Sequence, residues 1–179
     1  MNERNRRLVE RIVEPVYVEG LGARSMEDLR QMRDETREGE NELSFERRLC
    51  QARIDILTAE LERRSGGTDS DLMARLPEIL ATEGGGESGP LPSRAPNFSI
   101  PRNADVPRRR VEEIVGEQTL ARLPNLQSEE IRSIIGLLAE HERAVSDRRR
   151  RVHEVMDSIK AEIVRRYTSG EADPTAALG

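Results

Sequence analysis

The chain has 179 residues, 34 acidic against 29 basic, with a net charge of −5, 35% charged and 2% aromatic residues, and no Trp. The acidic balance argues against direct DNA binding, and so few aromatics argue against a sandwich or barrel and for long helices with narrow apolar seams. The single Cys50 excludes an intramolecular disulfide, no apolar run reaches membrane-spanning length, and MNERNRRLVE has no signal-peptide core, so the expected location is cytoplasmic, away from membranes.

Taken in order, Arg4 to Val13 reads as a short amphipathic helix, with Leu8, Val9, Ile12 and Val13 on one side and Pro15 as its stop. Gly20 and Gly22 mark a turn. Ser25 is the expected N-cap of a long helix whose first turn carries Glu27 and Asp28, matched to the helix dipole. That helix is expected to run to about Arg64, with Gly39 as the place for a bend and Gly66 and Gly67 as its end. Residues 1–64 thus form a first unit.

Residues 65–105 hold six Gly and five Pro and read as a linker. Inside it Asp71 to Leu80, with Leu72, Leu76, Ile79 and Leu80, is expected to form a few helical turns, either as a clip on the bundle or as a docking segment. Residues 106–170 form a second unit: a short helix over Val106 to Leu120, a break at Pro124, and a second long helix from Ser128, with Glu129 and Glu130, to about Tyr167. Residues 171–179 are expected to be a disordered tail.

The two long helices carry one motif twice. Glu40, Ser44, Arg47, Gln51 and Asp55 spell ExxxSxxRxxxQxxxD, and at roughly 100° per residue they fall within about 80° of arc, one polar stripe. Leu43, Cys50, Ile54, Leu57 and Leu61 form an apolar seam beside it. At an offset of 102 residues, Glu142, Ser146, Arg149, His153 and Asp157 repeat the stripe with His153 for Gln51, and Val145, Val152, Met156, Ile159 and Ile163 repeat the seam. The offset also aligns Arg6 with Arg108, Val9 with Val111, Ile12 with Ile114, Leu21 with Leu123, and Arg63 and Arg64 with Arg165 and Arg166. The fold expected is all-α and internally duplicated, and such a duplication suits a ligand or partner with its own two-fold symmetry.

Chemically, the stripes suit a guanine nucleotide. Arg offers a planar fork that matches guanine O6 and N7 or a phosphate, Asp accepts from the guanine N1–H and amine, and Ser and Gln serve either. The run Arg148 to Arg151 and the pair Arg47 and Arg48 add cations for an anionic ligand. Nothing in the sequence suggests an enzyme: there is no GxSxG, P-loop, dinucleotide glycine motif or cysteine cluster. His141 and His153 lie about 120° apart around their helix, so no metal site is expected from them.

The stripes, with LSFERRLCQARIDILTAELERR, ERAVSDRRRRVHEVMD and the SGEA tail, resemble the RsiG family of actinomycete anti-sigma factors from about Leu8 to Ala172. The resemblance implies an antiparallel coiled-coil hairpin, where the linker alone permits a parallel pair as well. It implies cyclic di-GMP as regulatory ligand on the ten stripe residues and a sporulation sigma factor of the WhiG type as partner. A second reading remains open: with Glu40 and Arg47 at successive a positions of a heptad, Glu40–Arg149 and Arg47–Glu142 pairs would fix the register of a ligand-independent coiled-coil adaptor.

One asymmetry separates the copies. Phe45, Leu49, Ala52 and Ile56 give the first long helix an apolar face opposite its stripe, whereas their counterparts Asp147, Arg151, Glu154 and Ser158 are polar. Phe45, Leu49 and Ile56 are the expected partner contact, with the chain's own short helices as the other cover for that face.

Overall fold

A computed structural model describes residues 3–66 and 109–172, with side chains from Leu8 onward. Its elements are helix α1 (Glu3–Ile12), 3-10 turns at Pro15–Val18 and Leu21–Ala23, helix α2 (Met26–Arg64), the short helices α3 (Arg110–Ile114) and α4 (Glu117–Ala121), a 3-10 turn at Leu123–Asn125, and helix α5 (Ser128–Ser169). Among the described residues there is no strand. The helical segment expected at Asp71 to Leu80 lies outside them, as does the tail from residue 173.

The 39-residue α2 and the 42-residue α5 pack along their lengths in opposite directions. Leu29 at the start of α2 clusters with Ile159 and Ile163 near the end of α5, Leu43 with Val145 and Val152, and Cys50 and Leu57 with Ile131 and Leu138 near its start. The pair is therefore the antiparallel hairpin that the resemblance implied. Its core repeats every seven residues, the period that keeps one apolar edge facing a partner helix.

The helix ends follow local chemistry. Ser25 caps α2: its hydroxyl accepts from the Asp28 N–H at 3.0 Å, and the Asp28 carboxylate accepts from the Ser25 N–H at 3.2 Å. Ser128 is the first residue of α5 rather than its cap; the cap is Gln127, whose N–H donates to Glu130 at 2.7 Å. Gly170, at φ +75°, takes the left-handed conformation that closes α5.

One expectation is corrected. The single helix over Val106 to Leu120 is two helices, α3 and α4. Val115 adopts an extended backbone (φ −145°, ψ 99°) while it is fully buried, and Gly116 then caps α4. Burial of the β-branched side chain overrides helix continuation there. α2 runs unbroken through Gly39. A Cβ at this position would stand 3.0 Å from the Ile12 side chain, so Gly39 is the point where α1 comes down onto α2.

The short helices cover the groove between the long ones. Val9 and Ile12 pack onto Leu43, Val145 and Val152, and Val111 and Val115 onto Cys50, Leu57, Ile131 and Leu138. The Cys50 thiol is fully buried, and burial, with the nearby Glu46 and Glu142 charges, pushes its pKa up to about 12. It acts as a small apolar side chain.

Candidate functional site

The seam fixes where the stripes go. Ser44 and Ser146 follow the buried Leu43 and Val145 by one residue, about 100° further round, so both stripes come to the same edge of the hairpin. The short helices lie on the opposite side, where Glu42 and Glu46 are buried.

At the middle of this edge the stripes touch. The Glu40 carboxylate accepts from Ser44 at 2.7 Å, from Arg149 Nε at 3.0 Å, and lies 3.3 Å from His153 Nε2. Arg149 Nε also donates to the Ser44 hydroxyl at 2.8 Å. On the other half Ser146 donates to Glu142 at 2.8 Å, and the Arg47 guanidinium stands 3.8 Å from that carboxylate. The two cross-helix pairs are the ones that the register reading anticipated.

Burial pushes the Glu40 carboxyl toward its neutral form. The donors Ser44, Arg149 and His153 outweigh that effect and hold its pKa below the ordinary value. Asp55 shows the opposite balance, because burial raises its pKa with nothing to offset it. The Arg47 Nε is buried and has no hydrogen-bond partner among the described residues. Side-chain exposures of 31% for Arg47, 34% for Arg149 and 27% for His153 leave the edge reachable from solvent.

Not all ten residues meet. Asp55 lies eleven residues beyond Ser44, about 16 Å along the axis, and Asp157 lies as far beyond Ser146 in the opposite direction. Gln51 stands between the centre and Asp55. The stripes thus form an elongated strip, Asp at either end and paired Glu and Arg at its centre. Such a strip can take an extended two-fold ligand, with cations at the middle and guanine-type acceptors outside.

A second group of charges was not anticipated. The Arg109 guanidinium and Glu42 carboxylate pair at 3.1 Å with 1% side-chain exposure each, and Arg109 lies 4.8 Å from the centroid of the Phe45 ring. Glu46 accepts from His141 Nε2 at 2.9 Å. Burial raises the Glu46 pKa, but the His141 contact and the Arg109 charge leave it below the ordinary value. The signal lay in the comparison of the copies: Glu42 and Glu46 flank the seam where the second copy has Ala144 and Arg148.

This group bears on the apolar face of α2. Phe45 is half-buried under Arg109, and Leu49 packs against the cluster that contains Val111 and Val115. Ile56 remains 42% exposed, and the counterparts Asp147, Arg151, Glu154 and Ser158 are all exposed. A cleft of about 380 Å³ lined by Arg11, Tyr17, Arg24 and Glu35 includes no stripe residue. Among the described residues no group of His, Cys, Asp or Glu has the arrangement to hold a metal ion, and no helix is long and apolar enough to cross a membrane.

These features define an internally duplicated, all-helical hairpin whose distinguishing surface is a polar edge rather than an enclosed pocket. The chain belongs to the RsiG-like family, whose model matches residues 15–80 and 117–178. The two matched regions contain both long helices and both stripes. Membership suggests an anti-sigma factor role. No curated protein matches the chain.

Proposed function

We propose that this protein is an anti-sigma factor that responds to cyclic di-GMP and withholds a sigma factor of the WhiG type from core RNA polymerase while nucleotide is bound. The observation that carries the reading is the meeting of two copies of ExxxSxxRxxx(Q/H)xxxD on one edge of the hairpin, in a chain of the RsiG-like family. Nucleotide bound along Glu40, Ser44, Arg47, Gln51, Asp55 and their counterparts holds α2 and α5 in one relative setting, and the sigma factor selects that setting. In this reading Phe45, Leu49 and Ile56 carry the partner contact.

The reading of a ligand-independent coiled-coil adaptor draws support from the Glu40–Arg149 pair, which is satisfied within the hairpin. The two separate by titration of purified protein with cyclic di-GMP, with and without the sigma factor. The first requires saturable binding and a melting temperature that rises with ligand concentration. An unchanged melting temperature with nucleotide in large excess selects the adaptor.

A further inference from the structure

We infer that the two halves of the nucleotide edge are inequivalent in the free protein: the Arg149 half is held shut by Glu40, and the Arg47 half stands open and engages ligand first. The inference rests on the reading of the stripes as a nucleotide site. Its basis is a departure from two-fold symmetry within the repeated stripes themselves. Ser44 and Ser146 each donate to the glutamate four residues before them, at 2.7 and 2.8 Å, so the halves begin alike. They differ across the helix pair. Arg149 Nε is bonded to both Glu40 and Ser44, at 3.0 and 2.8 Å, whereas Arg47 approaches Glu142 only to 3.8 Å and leaves its buried Nε without an acceptor.

Burial adds to the difference, because the Glu40 side chain is 10% exposed and that of Glu142 21%. His153, the one departure from the repeated motif, lies on the shut half, 3.3 Å from Glu40, and Gln51 has no such contact with Glu142 among the described residues. A ligand group that takes the Arg149 Nε–H must displace two acceptors already in place. At Arg47 the Glu142 carboxylate stands 3.8 Å away and holds no hydrogen bond that a ligand must break. Glu40 is therefore an internal competitor for the ligand, and Glu142 is a weak one.

The test is a double-mutant cycle read by isothermal titration of full-length protein with cyclic di-GMP, with circular dichroism to confirm helicity. Arg47→Ala is expected to weaken binding about a hundredfold and Arg149→Ala about tenfold, since the second residue surrenders contacts that the first does not have. In a Glu40→Gln background the Arg149→Ala loss grows toward the Arg47→Ala value, and Glu142→Gln leaves the Arg47→Ala loss unchanged. Equal losses at the two arginines, or no coupling between Glu40 and Arg149, overturns the inference and leaves the nucleotide site standing. Absence of binding by the wild type, or an Arg47→Ala/Arg149→Ala double variant that binds like it, removes the nucleotide site itself. If truncation unfolds the chain, Arg47→Lys and Arg149→Lys report the same order of effects.

Discussion

Arg64 and Arg166 make the same contact at opposite ends of the hairpin. Arg64 donates to the carbonyls of Leu123, Pro124 and Leu126, and Arg166, 102 residues later, to those of Leu21, Gly22 and Arg24. Each acceptor in one set is the offset equivalent of an acceptor in the other. Each arginine thereby ties the C-terminal end of one long helix to the 3-10 turn that precedes the other.

Each clamp is expected to contribute about 1–3 kcal/mol, the range for hydrogen bonds from a charged donor. Arg64→Ala and Arg166→Ala should each lower the melting temperature, and the double variant should lower it additively, because the ends are far apart. A melting temperature unchanged in both single variants would show that the turns hold without the clamps.

Acid should act at both ends. The Glu60 carboxylate accepts from Arg63 and Arg64, and Glu162 from Arg165 and Arg166, contacts that bring both pKa values down to about 2 from an ordinary 4.5. Because the folded values lie below the unfolded ones, this stability is fully present above pH 4.5 and is lost as the pH falls toward 2. Urea midpoints measured across that window should fall less steeply for Glu60→Gln with Glu162→Gln than for the wild type. Parallel curves would assign acid sensitivity elsewhere.

Within the nucleotide reading, the outer residues of the strip are expected to read the guanine edges. Asp55→Ala and Asp157→Ala should each weaken cyclic di-GMP binding by about 1.5–3 kcal/mol, the size of a lost charged hydrogen bond, without loss of helicity. Titration of the two variants checks this. If one variant binds normally while the other does not bind at all, the ligand uses only one stripe.

His153 is expected to replace Gln51 chemically, since a neutral imidazole also offers one donor and one acceptor. His153→Gln should bind nearly normally at about pH 7.5. Titration of the wild type and the variant with cyclic di-GMP at that pH checks this; a large loss of binding in the variant would show that the second half uses different chemistry.

The apolar back of α2 is tested by Leu49→Asp with Ile56→Asp. As a partner surface it should leave helicity and cyclic di-GMP binding intact and abolish co-purification with the sigma factor. The packing of Leu49 against the cluster that contains Val111 and Val115 makes the outcome discriminating. Loss of helicity would assign the face to the chain's own core.

Both long helices, their seams and their duplication were legible in the sequence because each is written in a local period. Leu43, Cys50 and Leu57, and Val145, Val152 and Ile159, recur every seven residues, and burial at 0% follows from that spacing. The Glu40–Arg149 and Arg47–Glu142 pairs were also anticipated, since an antiparallel register relates them directly. The Glu42–Arg109 and Glu46–His141 pairs were not: the first depends on how the start of α3 packs on α2, which no periodicity encodes, and the second joins α2 to α5 at positions outside the repeated motif, 95 residues apart. The break at Val115 and Gly116 escaped for a related reason: α3 and α4 are too short for helical period to outweigh tertiary contacts.

Gly39 and His141 occupy equivalent places in the two copies, yet one lies beneath Ile12 of α1 and the other bonds Glu46. In a perfectly two-fold hairpin, a partner could dock in either of two opposite orientations with equal energy. Here that degeneracy is lifted. One end of the short-helix side is sealed by aliphatic contact over a glycine, and the other by a buried lattice of Glu42, Arg109, Glu46 and His141. A symmetric small molecule on the opposite edge would still meet two matching motifs, while a large asymmetric protein reading this side would meet a head and a tail.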